Sequence, residues 1–422
     1  MRIAVVNWSR RRAGGVETYL NTIIPELARA GHDVAFWSEL DEPADRALIE
    51  IPTTAAAWCL EEIGLERGLE VLREWQPDVI YAHKLADPEI ERQVLRVAPS
   101  VFFAHDYNGT CISGTKTFRF PVVQPCTRTF GPACLAHYFP HRCGGLSPIT
   151  MAKLYRLQSK RQRNLHLYDA IVTHSDHMLA ELIKHGLSPR RAYNFPYYVQ
   201  PPNPNDSWSE QRLASNGEST NGRSKLQAKK SDGSGGPSFS LLFSGRMEFL
   251  KGAHVFIDAL PQVSAGLRGR INVTFAGDGR ECANLQRRAT GLRSKNIEVK
   301  FSGWLERPKI EELLKSADLL VVPSLWPEPF GLVGPEAGQY GVPVAAFDVG
   351  GIHDWLINGV NGYLAPGNPP TASGLAEAII KCLCDPVTLT RLRTGALQMA
   401  QQFNVKNHLT ALLEVFGNIS AQ

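Results

Sequence analysis

Short runs of valine, isoleucine and phenylalanine alternate along the chain with longer segments of helical periodicity. This alternation is typical of βαβ units, in which helices cover parallel strands. The first half predicts strands over residues 2–7, 33–37, 78–82, 100–104 and 170–173. The second half predicts strands over residues 239–244, 272–276, 297–301, 319–323 and 344–347. The pattern therefore predicts an α/β protein with two doubly wound, Rossmann-like parallel sheets.

The composition changes between residues 200 and 237, where serine, glycine, asparagine and proline replace almost all aliphatic residues. Such a segment buries too little apolar surface to offset its ordering entropy, so we expect a flexible linker or insertion. A chain of 422 residues also exceeds what one hydrophobic core usually supports. We therefore expect domains at residues 1–199 and 238–400, with a terminal helix in residues 401–422 that can cross back to the first domain.

Charge is distributed unevenly, although the net charge of +4 is too small to indicate a nucleic-acid partner. Residues 101–200 contain 12 Lys and Arg against 4 Asp and Glu. This region suits anionic ligands or an anionic membrane, and the alternative is an uneven but solvated surface. The basic segment 151–167 leaves the same choice open, between an amphipathic helix resting on anionic lipid and a solvated helix that covers the sheet.

Membrane-spanning and targeting segments are not expected. The chain lacks the run of roughly 18 or more apolar residues that a transmembrane helix requires. The apolar stretch at the N-terminus is shorter than that of a signal peptide, and we interpret it as a first core strand. We therefore expect a cytoplasmic protein, with peripheral contact to an anionic membrane as the one membrane association that the sequence allows.

Two carboxylates stand out in the segment 324–343, at a predicted strand–loop–helix corner. Glu328 and Glu336 have seven residues between them and flank Gly331. Carboxylates accept hydrogen bonds, which matches the vicinal hydroxyls of a hexose or a ribose, and amides at a helix start bind phosphate. The alternative is a pair of surface glutamates at a helix start, where the helix dipole favours them.

Two cations occupy a comparable position after an earlier strand, in the segment 243–252. Gly245 permits a tight turn, and Arg246 and Lys251 follow it. Two cations at this point can neutralise a pyrophosphate. An isolated pair of this kind is more often a solvated surface, but its position in the same domain as the paired glutamates favours the binding interpretation.

Together these motifs resemble those of retaining glycosyltransferases of family 4, the group 1 type with the two-domain GT-B architecture. The resemblance covers nearly the whole chain except the linker. In the first half it rests on Gly14-Gly15-Val16-Glu17, Gly31-His32-Asp33-Val34, Pro77-Asp78-Val79-Ile80 and His105-Asp106. In the second half it rests on Gly245-Arg246, Lys251-Gly252, Ala276-Gly277-Asp278-Gly279, Gly303-Trp304 and the pair Glu328 and Glu336.

The resemblance implies a division of roles between the domains, with the acceptor side in residues 1–199 and the donor site in residues 238–400. Arg246 and Lys251 would hold the donor diphosphate, Glu328 would face the transferred sugar and Glu336 would bind the ribose. The implied catalytic residues are Glu328, His105, Arg246 and Lys251. The other implied donor contacts are Gly14 and Gly15 over the phosphates, Gly303 and Trp304 at the base, and the backbone of Phe330, Gly331 and Leu332 at sugar and phosphate.

No catalytic metal or cofactor is expected beyond the nucleotide diphospho-sugar itself. Many glycosyltransferases of the other common architecture hold a metal ion with an Asp-x-Asp pair, and this sequence contains none. We expect Arg246 and Lys251 to take the place of such a metal, while retention of the anomeric configuration is implied only by the resemblance.

Four cysteines crowd into the region after His105, together with two histidines. These residues are Cys111, Cys126, Cys134, Cys143, His137 and His141. A structural zinc site, reduced thiols and disulfides all remain open, because the spacing lacks a Cys-x-x-Cys knuckle and a cytoplasmic setting disfavours disulfides.

The sequence thus predicts an enzyme of polysaccharide biosynthesis that moves a hexose from a nucleotide diphospho-sugar to a saccharide or lipid-linked acceptor. The alternatives are a sugar-nucleotide epimerase or a phosphorylase on the same architecture, or a non-catalytic protein that binds sugar nucleotides. The base, the sugar, the acceptor and the oligomeric state are not predicted.

Overall fold

The computed structural model describes residues 1–12, 14–201, 237–292 and 296–421. The chain divides into two compact units. The first unit contains Met1–Lys116, Thr127–Pro196 and Val405–Gln422, and the second contains Thr117–Cys126 and Tyr197–Asn404. Most of the predicted linker, residues 202–236, lies outside the described residues.

Strands and helices alternate through both units as the hydrophobic pattern predicts. The strands are β1 Arg2–Ser9, β2 Asp33–Leu40, β3 Ala56–Cys59, β4 Val79–Ala82, β5 Ser100–Phe103, β6 Thr117–Phe118, β7 Gln124–Pro125, β8 Ala170–Thr173, β9 Ala192–Asn194, β10 Ser238–Ser244, β11 Arg270–Ala276, β12 Ile297–Gly303, β13 Leu319–Val322, β14 Val344–Phe347 and β15 Gly362–Ala365. The helices are α1 Gly15–Arg29, α2 Leu60–Ile63, α3 Leu65–Trp75, α4 Pro88–Val94, α5 Ala133–Tyr138, α6 Pro148–Leu165, α7 Asp176–Lys184, α8 Ala253–Gly266, α9 Cys282–Thr290, α10 Arg307–Ser316, α11 Val333–Gly338, α12 Ala372–Leu383, α13 Pro386–Ala400 and α14 Val405–Ser420. Short 3-10 turns lie at Pro189–Arg191, Phe249–Lys251 and Gly351–Asp354.

The first unit is built on a parallel sheet with the strand order β3-β2-β1-β4-β5-β8-β9. Its central strands β4, β5 and β8 are buried along their whole length. Strands covered on both faces read as continuous apolar runs, which is why the sequence predicts them directly. The edge strands β3 and β9 were not predicted, because β3 is half alanine and β9 has only three residues.

The second unit repeats this arrangement with the parallel order β12-β11-β10-β13-β14-β15. In each sheet the strand order reverses beside the first strand, between β1 and β4 and between β10 and β13. Loops that leave the carboxyl ends of such a strand pair diverge and open a crevice, which is where ligands bind in doubly wound folds. The fold therefore points to one crevice in each unit.

Two segments belong to units other than those their place in the sequence suggests. The hairpin β6–β7 lies in the second unit, so the expectation that residues 1–199 form one N-terminal domain is wrong for this segment. The reason is apolar packing, because Val123 at its turn lies against the core of the second unit. Helix α14 belongs to the first unit, where His408 accepts or donates a hydrogen bond with the Tyr19 hydroxyl at 2.7 Å.

None of the helices within the described ranges combines the length and apolar character required to cross a bilayer.

Candidate active site

Lys251 and Glu328 meet at the strand reversal of the second sheet. Lys251 ends the 3-10 turn that follows β10, and Glu328 lies in the loop that follows β13. The two loops approach closely at Gly252, where a Cβ atom would lie 1.7 Å from the carbonyl oxygen of Pro323. Because Gly252 also has a φ of 70°, glycine suits this position for two reasons. The approach brings Lys251 Nζ to 2.6 Å from Glu328 Oε1.

Glu328 is held as a buried carboxylate. Its side chain is only 6% exposed, and the Ser324 hydroxyl donates a hydrogen bond to the same Oε1 atom at 2.5 Å. Burial alone would raise the pKa of Glu328, but the charge and hydrogen bond of Lys251, with further hydrogen bonds from Ser324 and Trp326, outweigh it, so that the pKa is lowered. The Lys251 ammonium also lies 5.4 Å from the centre of the Trp326 ring. The site therefore contains an ionised carboxylate with its cation at neutral pH.

The backbone around Glu328 is fixed by the loop after β14. The carbonyl oxygen of Glu328 accepts a hydrogen bond from the Gly351 amide at 2.7 Å. At Gly350 a Cβ atom would lie 2.2 Å from that same carbonyl oxygen, so only glycine allows this approach. Loops from three adjacent strands, β10, β13 and β14, thus determine where the carboxylate lies.

Arg246 lies on the loop after β10, which backbone hydrogen bonds connect to the loops after β11 and β12. The Gly245 amide donates to the carbonyl oxygen of Ala276 at 3.0 Å, and the Met247 amide donates to that of Asp278 at 2.8 Å. The Gly277 amide donates to the carbonyl oxygen of Gly303 at 2.7 Å. These bonds hold the backbone on either side of Arg246. Its side chain is exposed, and within the part of the chain that the structure describes it has no hydrogen-bond or ion-pair partner. Arg246 is thus a solvent-facing cation on a rigid loop.

Gly303 ends strand β12 beside these loops, and Trp304 follows it. Gly303 has a φ of 67°, and the Trp304 side chain is 61% exposed. An exposed indole at the carboxyl edge of a sheet presents a flat apolar surface, of the kind on which a planar ligand can stack.

In the segment after Glu328, the Phe330 side chain is buried, whereas backbone amides that follow it remain available as donors. The Phe330 ring is buried between Tyr197 and Phe403, and its carbonyl oxygen accepts a hydrogen bond from Trp355 Nε1 at 2.6 Å. The amides of Gly331 and Leu332 donate to no other group among the described residues. The segment can therefore offer backbone donors to an anion, while Phe330 anchors it in the core.

Glu336 lies in the first turn of α11 and is partly exposed. Burial raises the pKa of Glu336, the charge of Glu311 adds to this effect, and the charge of Arg307 opposes it. The two glutamates thus have pKa values shifted in opposite directions, because Glu328 is hydrogen-bonded to a cation and, within the described residues, Glu336 is not.

In the first unit, Gly14 and Gly15 form the start of α1, directly after β1. Gly14 is the exposed N-cap residue, and its carbonyl oxygen accepts a hydrogen bond from the Thr18 amide at 3.1 Å. A Cβ atom at Gly15 would meet nothing within 4 Å. Both glycines therefore leave the helix start open to approach by a ligand.

His105 belongs to a group of four histidines in the first unit, which we call the histidine cluster. Its members are His83, His105, His174 and His408. The Phe103 ring lies against all four, at centroid distances between 4.4 and 6.2 Å. His83 Nδ1 lies 2.8 Å from His105 Nε2, so one of these nitrogens donates to the other.

Burial keeps these rings neutral. It lowers the pKa of His83 and His174 to about 3 and that of His408 to about 4. The pKa of His105 falls well below its usual value because of burial and of the neighbouring imidazoles. His83 and His105 follow the adjacent strands β4 and β5, so the sequence already contained the signal that they meet. His408 gave no such signal, because its position depends on the docking of α14.

The structure therefore brings Lys251 and Glu328 together in the second unit and His105 and His83 together in the first. It assigns the predicted donor residues Arg246, Gly303, Phe330, Gly331, Leu332 and Glu336 to the second unit, and Gly14 and Gly15 to the first.

The cysteine-rich region forms no metal centre in the described parts of the chain, where no group of three His, Cys, Asp or Glu residues has a suitable geometry. Each of the eight cysteines carries a thiol. Cys126 belongs to the second unit, whereas Cys111, Cys134 and Cys143 belong to the first. Among the three alternatives raised by the sequence, the structure corresponds to reduced thiols.

Two family models match the chain, one in each half. Residues 224–399 match the model described as glycosyl transferases group 1, and residues 13–196 match that described as glycosyltransferase family 4. Together they match most of the sequence in the order that the motifs predicted.

Similarity to curated relatives is confined to segments. D-inositol 3-phosphate glycosyltransferase 1 of Catenulispora acidiphila is 37% identical over 186 residues, which cover 42% of this chain and 44% of that protein. Glycogen synthase of Mycobacterium tuberculosis is 34% identical over 177 residues, or 42% of each protein. The matched region thus spans less than half the length of these relatives.

Similarity to solved structures extends over whole chains. Anabaena HepE in complex with UDP-glucose is 20% identical, with a TM-score of 0.62 and coverage of 100% of both chains. Sucrose-phosphate synthase from Thermosynechococcus elongatus is 19% identical, with a TM-score of 0.68, and the match covers 100% of this chain and 99% of that one. These likenesses confirm the GT-B fold. With both family models in agreement, the chain belongs to the family 4 glycosyltransferases of the group 1 type.

Proposed function

We propose that this protein transfers a hexose from a nucleotide diphospho-sugar to a saccharide or lipid-linked acceptor, with retention of configuration and without a catalytic metal ion. The observation that carries the proposal is the ion pair between Lys251 and Glu328 at the strand reversal of the second sheet. A buried carboxylate and a cation at this point, with Arg246 exposed on the neighbouring loop, match the charges that develop when a sugar–phosphate bond breaks.

The leaving group is the nucleoside diphosphate. As the bond between the anomeric carbon and the phosphate oxygen breaks, the electron pair stays on that oxygen and the diphosphate gains negative charge. An ammonium group has three N–H donors. Lys251 uses one for Glu328, which leaves two for phosphate oxygens. The planar fork of Arg246 can bind two further phosphate oxygens, and the amides of Gly331 and Leu332 can add their own.

The sugar side requires the opposite charge. The anomeric carbon becomes positive in the transition state, and the ionised Glu328 can stabilise that charge or accept hydrogen bonds from sugar hydroxyls. Because Lys251 and Ser324 keep the carboxylate ionised and oriented, little reorganisation is needed at the moment of reaction.

The remaining residues bind parts of the donor that do not react. Glu336 would accept the hydroxyls of the ribose, Gly303 and Trp304 would contact the base, and neutral His105 would exchange a hydrogen bond with a sugar hydroxyl. Gly14 and Gly15, with their open helix start, would contact the diphosphate.

A uridine diphospho-sugar is the first donor to test. Anabaena HepE was crystallised with UDP and with UDP-glucose, and its fold covers the whole of this chain. Among the relatives, a D-inositol 3-phosphate glycosyltransferase and a glycogen synthase support a hydroxyl acceptor on a sugar or a cyclitol.

The test is a panel of nucleotide sugars incubated with the protein, with and without saccharide and lipid-linked acceptors. We expect release of nucleoside diphosphate that increases with acceptor, and loss of about 10²-fold or more of this activity in Lys251→Ala. Lys309→Ala is the matched control, because Lys309 is an exposed lysine of the same unit. Conversion of the donor to an isomer would indicate an epimerase, a requirement for inorganic phosphate would indicate a phosphorylase, and binding without release would indicate a non-catalytic protein.

A further inference from the structure

Helix α6 turns a polar face toward the protein. Gln158 accepts a hydrogen bond from the Gly109 amide at 2.6 Å, and Asn164 donates to Glu91 at 2.8 Å. Arg161 is buried and donates to the backbone carbonyls that precede α4. The packed face of α6 is therefore mainly polar, and Leu165 is its one buried leucine among the described residues.

The opposite face of α6 carries a row of cations. One exposed apolar residue and four exposed cations follow one another on this face at intervals of four and three residues. They are Ile149, Lys153, Arg156, Lys160 and Arg163. Side chains at this spacing lie along one face of a helix. Lys160 is paired with Glu89 at 3.0 Å, whereas Lys153 and Arg156 have no acidic partner within the described residues.

This row begins at an apolar tip. Residues 145–150 are all exposed, and among them Leu146 is 67% and Ile149 is 68% exposed. Two exposed aliphatic side chains within four residues, next to a row of cations, differ from the single exposed apolar residues that are normal on a surface. We call the tip and the row together the α6 surface.

The surrounding sequence contains no acidic residue over a long stretch. Between Asp106 and Asp169 the chain has nine Lys and Arg and neither Asp nor Glu. Lys116 and Arg161 among them are buried, so the exposed cations of α6 are the ones that attract an anionic surface, over about one Debye length, roughly 10 Å at moderate ionic strength.

We propose that the α6 surface binds an anionic lipid bilayer. Leu146 and Ile149 enter the interfacial region, and Lys153 and Arg156 contact headgroup phosphates. The apolar tip selects this partner over a polyanionic saccharide, because a saccharide offers no apolar phase for the two aliphatic side chains. The proposal does not depend on the proposed reaction, since none of these residues belongs to the donor site.

The test is co-sedimentation of the full chain with vesicles of phosphatidylcholine alone and of phosphatidylcholine with about one third phosphatidylglycerol. We expect binding to the anionic vesicles only, reduced when the ionic strength rises from about 0.1 M to about 1 M. Lys153→Gln/Arg156→Gln should lower the partition coefficient about 30-fold, at about 1 kcal/mol per cation. Leu146→Ser/Ile149→Ser should lower it at least about tenfold.

Two controls separate this surface from general charge and hydrophobicity. Arg190→Gln/Arg191→Gln removes two exposed cations elsewhere in the same unit, and Val387→Ser removes an apolar side chain that is 78% exposed. Both should bind vesicles as the original chain does. Equal binding to both vesicle types, no binding to either, or equal losses in the controls would overturn the proposal. Binding of a soluble sulfated polysaccharide without binding of vesicles would overturn it in favour of a polyanionic glycan.

Discussion

Replacing Lys251 by alanine should destabilise the second unit as well as abolish turnover. The substitution leaves the Glu328 carboxylate almost fully buried, with Ser324 as a remaining hydrogen-bond donor. Removing one partner of a buried ion pair costs about 3–5 kcal/mol. Because 24% of the Lys251 side chain is exposed, water can replace part of the lost interaction. We expect a cost of about 2 kcal/mol, or a Tm lower by about 4–8 °C for a unit of this size.

The loss should depend on pH in a defined direction. In the original protein the pKa of Glu328 is lowered, so its ionised form adds stability above the unfolded pKa near 4.5, and this stability is lost as the pH falls through the folded pKa. In Lys251→Ala, burial acts without the cation, so we expect the folded pKa of Glu328 to exceed the unfolded value. The stability deficit of the variant should then be largest near pH 7.5 and shrink toward about pH 5.

Thermal unfolding of four proteins measures this coupling. They are the original chain, Lys251→Ala, Glu328→Gln and the double variant. We expect the double variant to lose less stability than the two single variants lose together, because it leaves no unpaired buried charge. Strict additivity, or a deficit in Lys251→Ala that grows as the pH falls, would refute the reasoning about this pair. Lys309→Ala should unfold as the original chain does.

The other predictions concern the diphosphate, the metal and the histidine cluster. Arg246→Ala should reduce turnover about 10²-fold, and Arg246→Lys should restore little of it because an ammonium lacks the planar fork; near-normal kinetics would remove Arg246 from the site. Transfer should persist in excess chelator, and a loss that magnesium or manganese reverses would contradict the metal-free scheme. The lowered pKa values of the histidine cluster mean that stability present above pH 6.5 is lost as the pH falls, by about 2 kcal/mol per histidine near pH 5. Burial raises the pKa of Glu39 to about 7, so protonation of Glu39 should offset the stability lost at about one histidine as the pH falls. His408→Gln should make the Tm depend less on pH. A Tm that does not change between about pH 7 and pH 5 in the original chain would contradict this prediction.

The sequence predicts the framework of both sheets well. Each of the ten expected strands overlaps a strand of the structure, because buried parallel strands are continuous apolar runs. β15 was not predicted, since Gly362 and Tyr363 give it no such run. The hairpin around Val123 was also missed, because its two short strands depend on packing against a core that is distant in the sequence.

The candidate site is predictable only in part. The sequence indicates Lys251 and Glu328 through separate motifs, and nothing local to either residue indicates their contact across 77 residues. The contact follows from the order β10-β13 in the sheet, which a single sequence does not state. For α6 the sequence leaves open which face packs, because the buried Arg161 and Asn164 pair with carbonyls near α4 and with the Glu91 carboxylate, which are distant in the sequence.

Proton NMR of a nucleotide sugar and an acceptor during turnover tests the proposed reaction most directly. We expect nucleoside diphosphate and a new glycoside to appear at equal rates, and the glycoside to keep the anomeric configuration of the donor. Lys251→Ala should suppress both products, whereas Lys309→Ala should not. An inverted anomeric configuration, consumption of the donor without a new glycoside, or undiminished transfer by Lys251→Ala would contradict the proposed reaction.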